Sequence, residues 1–406
     1  MIAPRNSYER MKAIRPEEGV VYVLFILVNC NIFFWNKAVH FEDNRWPSAG
    51  EMHCSNGEFV IPHFTDLHFG ESDKQDRRSR DVMASVLNAE KQTDLVVFGG
   101  DQVSGWLVWN SNQALTKWEE SLRETAGRNL QFATIFGNHD DQPYQSDPRG
   151  VYPWVRNFFF VACVILCVSL YRFGLTKRTW YAFLLVITLF WYVDVLYPST
   201  TTRRSIFNYE KAMHASQSRT QAGDPALQGQ SNYYIPVTCL NRTALVFFLD
   251  SGGGRFPQAL MKEQSDWVQA VSTAYPGSYS IILVHIAPVE YETARINPLF
   301  KCWGDDVTEE VTPVENGNEF DMQSLFNAGL RAVFVGHDHR NSWCCVSRTQ
   351  PALCYGRHTG YGGYGTWERG SRIIRMSFSD TFVVDTWLRM ENGSKIEHGE
   401  LFRVKY

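Results

Sequence analysis

Short apolar runs that end in polar residues recur five times along the chain. Each run is rich in β-branched and aromatic residues, has the length of a strand and stops at a carboxylate, an amide or an imidazole. The five segments are FVIPHFTDLHFGE (59–71), TDLVVFGGDQ (93–102), QFATIFGNHDD (131–141), YSIILVHIAP (279–288) and LRAVFVGHDH (330–339). The pattern predicts buried strands whose carboxyl ends present chemically active side chains.

Helical patterns lie between the first three runs. Residues 77–92 and 113–127 space their apolar positions as helices that cover a sheet do. Alternation of strand and helix predicts βαβ units and an α/β fold, in which ligands bind at the carboxyl ends of strands. The polar residues that close the five runs are therefore expected to meet in one site.

Three longer apolar stretches, at 20–35, 157–171 and 180–197, depart from this pattern. A membrane-spanning helix needs about 20 apolar residues, and all three are near or below that length. The first follows a basic tail over residues 1–19 and predicts a signal peptide or a membrane anchor at 20–36. The other two predict an apolar helical hairpin inserted at 157–197, with buried core segments as the alternative.

Positive charge flanks these apolar stretches. The N-terminal tail is basic, and the linker RFGLTKR (172–178) separates the two later stretches. Cytoplasmic loops attract Lys and Arg, so both flanks are expected on the inner side of a membrane. The sequence thus predicts a protein of the secretory pathway, either membrane-anchored with an extracellular or lumenal domain, or secreted.

Composition narrows the class of protein. A chain of 406 residues with 44% hydrophobic content buries a large core. The formal charge of -4 and the lack of a basic block argue against a nucleic-acid scaffold.

Cysteine usage and two sequons agree with an oxidising compartment. Three of the nine cysteines fall in the apolar stretches, which leaves Cys54, Cys239, Cys302, Cys344, Cys345 and Cys354. Six is compatible with three disulfides, whose pairing stays open. Asn241 and Asn392 begin sequons that predict a glycoprotein if the domain is lumenal.

The residues that close the five runs form a set of metal ligands. They are Asp66, His68, Asp101, Asn138, His285, His337 and His339. Oxygen and imidazole ligands without a thiolate suit Zn, Mn or Fe rather than Ca. Seven ligands exceed one tetrahedral ion, and a carboxylate can bridge two ions about 3.5–4 Å apart that clamp phosphate oxygens. The implied chemistry is hydrolysis of a phosphate ester.

The same motifs carry a family resemblance. Asp66-Leu67-His68, GGDQVSG, GNHDD, VHIAP and GHDH resemble the five ordered motifs of the calcineurin-like metallophosphoesterase superfamily. The segments WCC (343–345) and GRHTGYGGYGTWERGSR (356–372) resemble its purple-acid-phosphatase-like branch with a single catalytic domain. The resemblance implies a four-layer α/β/β/α sandwich with a dinuclear metal site over residues 57–406.

The resemblance also implies roles for single residues. Asp66, His68 and His339 would hold one metal ion, Asn138, His285 and His337 would hold the other, and Asp101 would bridge them. His139 would protonate the leaving group or steady the phosphate, with Asp140 as its neighbour in a charge pair. Arg357 and His358 would contact substrate, although the glycine-rich segment around them fits tight turns better than a phosphate cradle.

One position departs from the purple enzymes, which carry a tyrosine ligand three residues after the bridging aspartate. Ser104 stands there in this chain, so the purple colour is expected to be absent. Two divalent or mixed-valence ions of Fe, Mn or Zn remain open as cofactors.

The favoured function is hydrolysis of phosphate monoesters, such as a phosphorylated small molecule, by metal-bound hydroxide. A phosphodiesterase and a catalytically silent metal-binding scaffold are the alternatives.

Overall fold

The computed structural model of the chain describes residues 48–54, 56–108, 111–141, 201–254, 256–304, 308–316 and 319–405. The described helices are α1 (Asp73–Ala89), α2 (Ser111–Ala126), α3 (Arg203–Met213), α4 (Lys262–Ala274), α5 (Glu290–Ala294) and α6 (Met322–Asn327). The described strands are β1 (Met52–His53), β2 (Glu58–Thr65), β3 (Val96–Gly99), β4 (Phe132–Ile135), β5 (Tyr233–Cys239), β6 (Arg242–Leu249), β7 (Tyr279–Val284), β8 (Phe300–Trp303), β9 (Leu330–Val335), β10 (Cys344–Ser347), β11 (Ala352–Tyr355), β12 (Arg357–His358), β13 (Gly370–Phe378), β14 (Thr381–Met390) and β15 (Lys395–Lys405).

The strands form two sheets, each with parallel and antiparallel pairs. The first sheet has the order β1-β5-β6-β7-β9-β11-β10-β8, and the second has the order β15-β14-β13-β2-β3-β4 with β12 beside β2. β2, β3 and β4 run parallel in the second sheet, as do β6, β7 and β9 in the first. The predicted α/β fold with mixed sheets is confirmed.

Alternation along β2 shows how the sheets acquire two buried faces. Phe59 and Ile61 pack into a core shared with residues of the first sheet. Val60 and Phe64 point the other way and pack beneath α1 and α2. Because successive strand residues face opposite sides, one strand serves both layers. Burial of each such side chain contributes about 1.5–3 kcal/mol.

The first sheet is covered in the same way. Its outer face packs against Trp267 of α4, Tyr291 of α5 and Leu325 of α6. The two sheets therefore lie face to face between two layers of helices.

Helix α1 begins four residues before the predicted start at residue 77. The hydroxyl of Ser72 accepts a hydrogen bond from the Gln75 N–H at 3.3 Å and caps the helix. Asp73 and Asp76 in the first turn suit the positive end of the helix dipole. Because the first turn is polar, the spacing of apolar residues does not show where this helix begins.

The described fold begins before the predicted domain boundary at residue 57. Met52 and His53 pair in parallel with Val237 and Thr238 of β5. Cys54 is disulfide-bonded to Cys239 at the end of the same strand. Residues 48–54 thus belong to the first sheet.

All six cysteines outside the apolar stretches form disulfides. Besides Cys54–Cys239, the bridges are Cys302–Cys345 and Cys344–Cys354. Cys344 and Cys345 are neighbours on β10 and face opposite sides of the sheet. β10 is therefore linked covalently to both adjacent strands, β8 and β11.

The predicted membrane segments lie outside the described residues. Both 20–36 and the hairpin at 157–197 fall in parts of the chain that are not described. Among the helices that are described, none combines the length and the apolar character needed to cross a bilayer.

Candidate metal centre

Five strand ends bring the predicted ligands to one rim of the two sheets. Asp66 and His68 follow β2, Asp101 follows β3, and Asn138 follows β4. From the first sheet, His285 follows β7, while His337 and His339 follow β9. Parallel strands place their carboxyl ends at the same edge, so the ligands converge although 273 residues separate the first from the last.

Several ligand positions are held in a backbone conformation that L-residues rarely adopt. Asp66, His68, Asp101 and His337 have φ angles of 58°, 50°, 52° and 72°. Such positions cost of order 1–3 kcal/mol each and persist where the surrounding structure fixes them, often at functional sites. Four of the seven non-glycine residues with positive φ in the described chain are candidate ligands.

One ligand group consists of Asp66, His68 and His339, whose ligand atoms lie within 4.8 Å of one another. His339 Nε2 lies 3.6 Å from Asp66 Oδ1 and 3.2 Å from His68 Nε2. Each of these histidines turns its other nitrogen to a hydrogen-bond partner. The two Nε2 atoms therefore face each other across a space that suits a cation.

The second group consists of Asp101, His285 and His337. His285 Nε2 lies 3.2 Å from Asp101 Oδ2 and 3.2 Å from Asn138 Oδ1, which brings the amide of Asn138 into the same group. His285 Nδ1 lies 2.8 Å from the carbonyl oxygen of Gly99, so this nitrogen carries a proton and Nε2 faces the site.

Asp101 lies between the two groups. Its Oδ2 is 3.2 Å from His285 Nε2 in one group and 3.7 Å from His68 Nε2 in the other. Its Oδ1 accepts a hydrogen bond of 2.7 Å from the main-chain N–H of His139. The donor set of carboxylate, amide and imidazole fits two ions of the Zn, Mn or Fe type, with Asp101 able to contact both.

Ser104 and Glu71 orient His68, and neither was predicted to do so. Ser104 Oγ donates to Glu71 Oε1 at 2.8 Å and lies 3.0 Å from His68 Nδ1. A hydroxyl has one proton to donate, so Ser104 accepts from His68 Nδ1–H and leaves Nε2 free to bind metal. The signal in the sequence that could have indicated this role is Ser104 itself, which stands at the position where purple enzymes carry tyrosine.

Tyr364 supports His339 in a similar way. The carbonyl oxygen of Tyr364 lies 3.3 Å from His339 Nδ1, and the two rings stack with centroids 4.1 Å apart. Gly363 has a φ of 69°, and a Cβ there would lie 2.5 Å from His339 Cε1. The glycine-rich segment thus forms a tight turn that packs on the candidate ligand His339.

Burial and neighbouring charges set the protonation of the site. Burial lowers the pKa of His68 and of His339 well below the usual value, which keeps both imidazoles neutral. Burial would raise the pKa of Asp101, but His285 and His139 hold it well below its usual value. Burial would lower the pKa of His285, but Asp101 raises it to about 9. Burial raises the pKa of Asp66 to about 7.

Four of the candidate ligands, His68, Asp101, His337 and His339, line an open cavity of about 430 Å³. His139 lines it, with 18% of its side chain exposed and Nε2 at 3.9 Å from Asp101 Oδ2. Glu71, Leu107, Thr312 and Tyr364 form other parts of the wall. His139 is therefore placed where it could meet a bound substrate.

Asp140 accepts hydrogen bonds from main-chain N–H groups, and its predicted charge pair with His139 stays a prediction. Its Oδ2 accepts hydrogen bonds from the N–H groups of Gly137 at 2.7 Å and Asp101 at 3.1 Å. Its Oδ1 accepts from the Val103 N–H at 3.0 Å. Burial and the charge of Asp101 raise the pKa of Asp140 to about 7. The carboxylate thus holds two ligand loops together.

Arg357 and His358 are buried and are not among the described residues that line the cavity, so their contact with substrate stays a prediction. The Arg357 guanidinium donates to the carbonyl oxygen of Glu368 at 2.6 Å and 3.0 Å. The His358 ring is buried behind His339, with centroids 3.9 Å apart. Both side chains point into the protein because β12 continues the buried second sheet.

Known proteins resemble this chain in sequence. Residues 59–203 match the family profile of the calcineurin-like phosphoesterases. Probable inactive purple acid phosphatase 29 of Arabidopsis thaliana is 23% identical over 391 residues, which cover 83% of each chain. Probable inactive purple acid phosphatase 28 of the same plant is 23% identical over 419 residues, covering 89% of this chain and 88% of the relative.

A solved structure shows a looser likeness. Purple acid phosphatase PPD1 from yellow lupin (Lupinus luteus) seeds superposes with a TM-score of 0.45 and 10% identity, covering 86% of this chain and 54% of the lupin chain. A likeness this loose carries no weight in the assignment. The motif order, the family match over residues 59–203 and the two plant relatives support a relation to the calcineurin-like metallophosphoesterase superfamily and to its purple-acid-phosphatase-like branch.

Proposed function

We propose that this chain hydrolyses phosphate monoesters with the help of two metal ions. The observation that carries the proposal is the position of Asp101 Oδ2, within 3.7 Å of imidazole nitrogens from both ligand groups. Asp66, His68 and His339 would hold one ion, Asn138, His285 and His337 the other, and Asp101 both. Bound iron, manganese or zinc would neutralise phosphate oxygens and lower the pKa of a water molecule that serves as nucleophile.

His139 would deliver the proton that the leaving group needs. Its ring reaches the cavity, while its main-chain N–H donates to Asp101 Oδ1 at 2.7 Å. This bond fixes the backbone that carries the imidazole next to the proposed bridging carboxylate. A positioned acid of this kind contributes about 10²–10⁴-fold in rate.

Phosphate diesters are the second candidate substrates, and the cavity wall favours them in one respect. Among the described residues that line the cavity there is no Lys or Arg, whereas Glu71 adds a carboxylate. A diester carries one negative charge and a monoester carries up to two near neutral pH, so this wall repels a diester less.

The two plant relatives are named probable inactive enzymes. In this chain all seven ligand positions and His139 keep residues that suit metal binding and proton transfer. A silent metal-binding scaffold would not require a protonating histidine in an open cavity. The complete set therefore supports turnover.

Hydrolysis of p-nitrophenyl phosphate and of its bis-ester by the purified chain tests the proposal. We expect faster release from the monoester, dependent on added Mn, Zn or Fe and lost in Asp101→Asn and His139→Ala. His214→Gln is the matched control, because His214 binds Glu119 outside the cavity at 2.9 Å. Faster release from the bis-ester would favour a phosphodiesterase, and no release with both metals bound would leave a scaffold.

We further propose that the domain matures in the secretory pathway. Three disulfides fit an oxidising compartment. The apolar segments at 20–36 and 157–197 would supply membrane attachment, or the first would be removed on secretion.

A further inference from the structure

Arg203 is a buried cation beside the loop that carries Asn138 and His139. Its side chain is 1% exposed and lies at the first position of α3. A cation at this position is repelled by the positive end of the helix dipole. Burial of a guanidinium also costs free energy unless the group is fully paired. The position therefore implies a specific tertiary role.

The guanidinium joins two segments of backbone. Nε donates to Asp141 Oδ1 at 3.0 Å, and Nη1 donates to Asp250. Nη2 donates to the carbonyl oxygens of Gly137 at 2.7 Å, Gly253 at 3.0 Å and Gly252 at 3.1 Å. One side chain thus ties residues 137–141 to residues 250–253.

The second segment packs directly on the ligand Asn138. A Cβ added to Gly253 would lie 2.2 Å from Asn138 Cβ, so only glycine allows this approach. Gly137, which Arg203 holds by its carbonyl oxygen, precedes Asn138 in sequence. The position of the Asn138 amide relative to His285 therefore depends on the segments that Arg203 joins.

The two carboxylates that Arg203 binds tie it to the ligand loop and to the rest of the fold. Asp141 lies 62 positions from Arg203 in the sequence, and Asp250 Oδ2 accepts from the Gln230 N–H at 2.8 Å. Residues 137–141 are thus connected through Arg203 to a segment with its own hydrogen bonds to the fold.

We propose that Arg203, paired with Asp141 and Asp250, is a positioning residue for Asn138 and His139. The N–H donors of its guanidinium fix the geometry of the second ligand group. They leave the geometry of the group of Asp66, His68 and His339 unaffected. This inference rests on the proposed two-metal function only where it is tested by metal binding.

The test compares Arg203→Lys with the parent full-length chain. Lysine keeps the charge but cannot reach five acceptors at once. We expect binding of the second Mn(II) ion to weaken roughly 10–100-fold, as for other residues that orient ligands. Electron paramagnetic resonance should change from a spin-coupled pair to an isolated Mn(II) signal, while the first ion binds as before.

Hydrogen exchange of the metal-free chain gives a second readout that needs no metal. In Arg203→Lys we expect faster amide exchange confined to residues 136–141 and 250–254. Arg389→Lys is the matched control, because Arg389 also binds a carboxylate, Glu90 at 2.7 Å, and a carbonyl oxygen, that of Gly393, outside the cavity. This control should leave both readouts unchanged.

Two results would overturn the inference. One is parental exchange in residues 136–141 together with two ions bound at parental affinity. The other is a loss of both ions with faster exchange throughout the chain, which would make Arg203 a general stability residue. A parent chain that binds no Mn(II) would contradict the proposed function alone, and the exchange data would then decide the role of Arg203.

Discussion

The carboxylate of Asp101 faces imidazoles from both halves of the molecule. Its Oδ2 lies 3.2 Å from His285 Nε2, 3.7 Å from His68 Nε2 and 3.9 Å from His139 Nε2. In the proposed function, a carboxylate at this position would bridge two metal ions and the neighbouring His139 imidazole would meet the substrate. At the scale of single residues, the proposed ligand and acid roles are thus separated by a few ångströms.

Removal of the His139 imidazole tests that separation. In His139→Ala we expect kcat to fall by about 10²–10⁴-fold while two metal ions stay bound, since the proposed role of the ring is that of an acid and not of a ligand. Steady-state rates and elemental analysis of the same sample measure both quantities. A loss of one ion along with activity would reassign His139 as a ligand.

Metal binding should release protons, because two of the candidate ligands hold protons near neutral pH. In the metal-free chain burial raises the pKa of Asp66 to about 7, and Asp101 raises that of His285 to about 9 against the effect of burial. Ligands bind metal in the deprotonated form, so apparent affinity should rise with pH up to about 9. Calorimetry in buffers of different ionisation enthalpy counts the protons. Binding with no proton release at pH 7 would contradict this protonation.

The sequence predicted the ligands better than their supports. Asp66, Asp101 and His285 each close an apolar run, which is a local pattern. Arg203 meets Asp141 across 62 positions and Asp250 across 47, and no local pattern indicates such contacts. The hydrogen bonds of Asp140 were not predicted either, because its partners are main-chain N–H groups, which nearly every residue possesses.

At the scale of elements, the loop from β9 to β10 carries two ligands and ends on a cross-linked strand. β10 is bonded to β8 through Cys302–Cys345 and to β11 through Cys344–Cys354. The sequence predicted that six cysteines could pair, but the pairing depends on strand neighbours that only the fold brings together. The disulfides should fix one end of the loop that presents His337 and His339.

Loss of the Cys302–Cys345 bridge should destabilise the chain. The bridge spans 43 positions, and replacement of both cysteines by serine should lower the free energy of unfolding by roughly 2–4 kcal/mol through greater freedom of the unfolded chain. Urea unfolding followed by tryptophan fluorescence measures the change. A difference well under 1 kcal/mol would mean that β-sheet contacts alone hold β8 to β10.

At the scale of the whole molecule, both sequons lie at exposed turns between paired strands. Asn241 follows β5, and Asn392 follows β14. On secretion from eukaryotic cells, we expect endoglycosidase treatment to increase gel mobility by two steps. Asn241→Gln and Asn392→Gln should each remove one step. Secreted protein with no mobility change would contradict glycosylation at these turns.

We propose that hydrolysis of a phosphate ester in this site requires two bound ions. The rate of phosphate release from a monoester, measured as metal-free protein is titrated with Mn(II) and with bound metal counted in each sample, tests this directly. We expect little turnover at one bound ion and full turnover at two, with Asp101→Asn inactive throughout. Two bound ions without turnover above background would show that the site does not hydrolyse the ester.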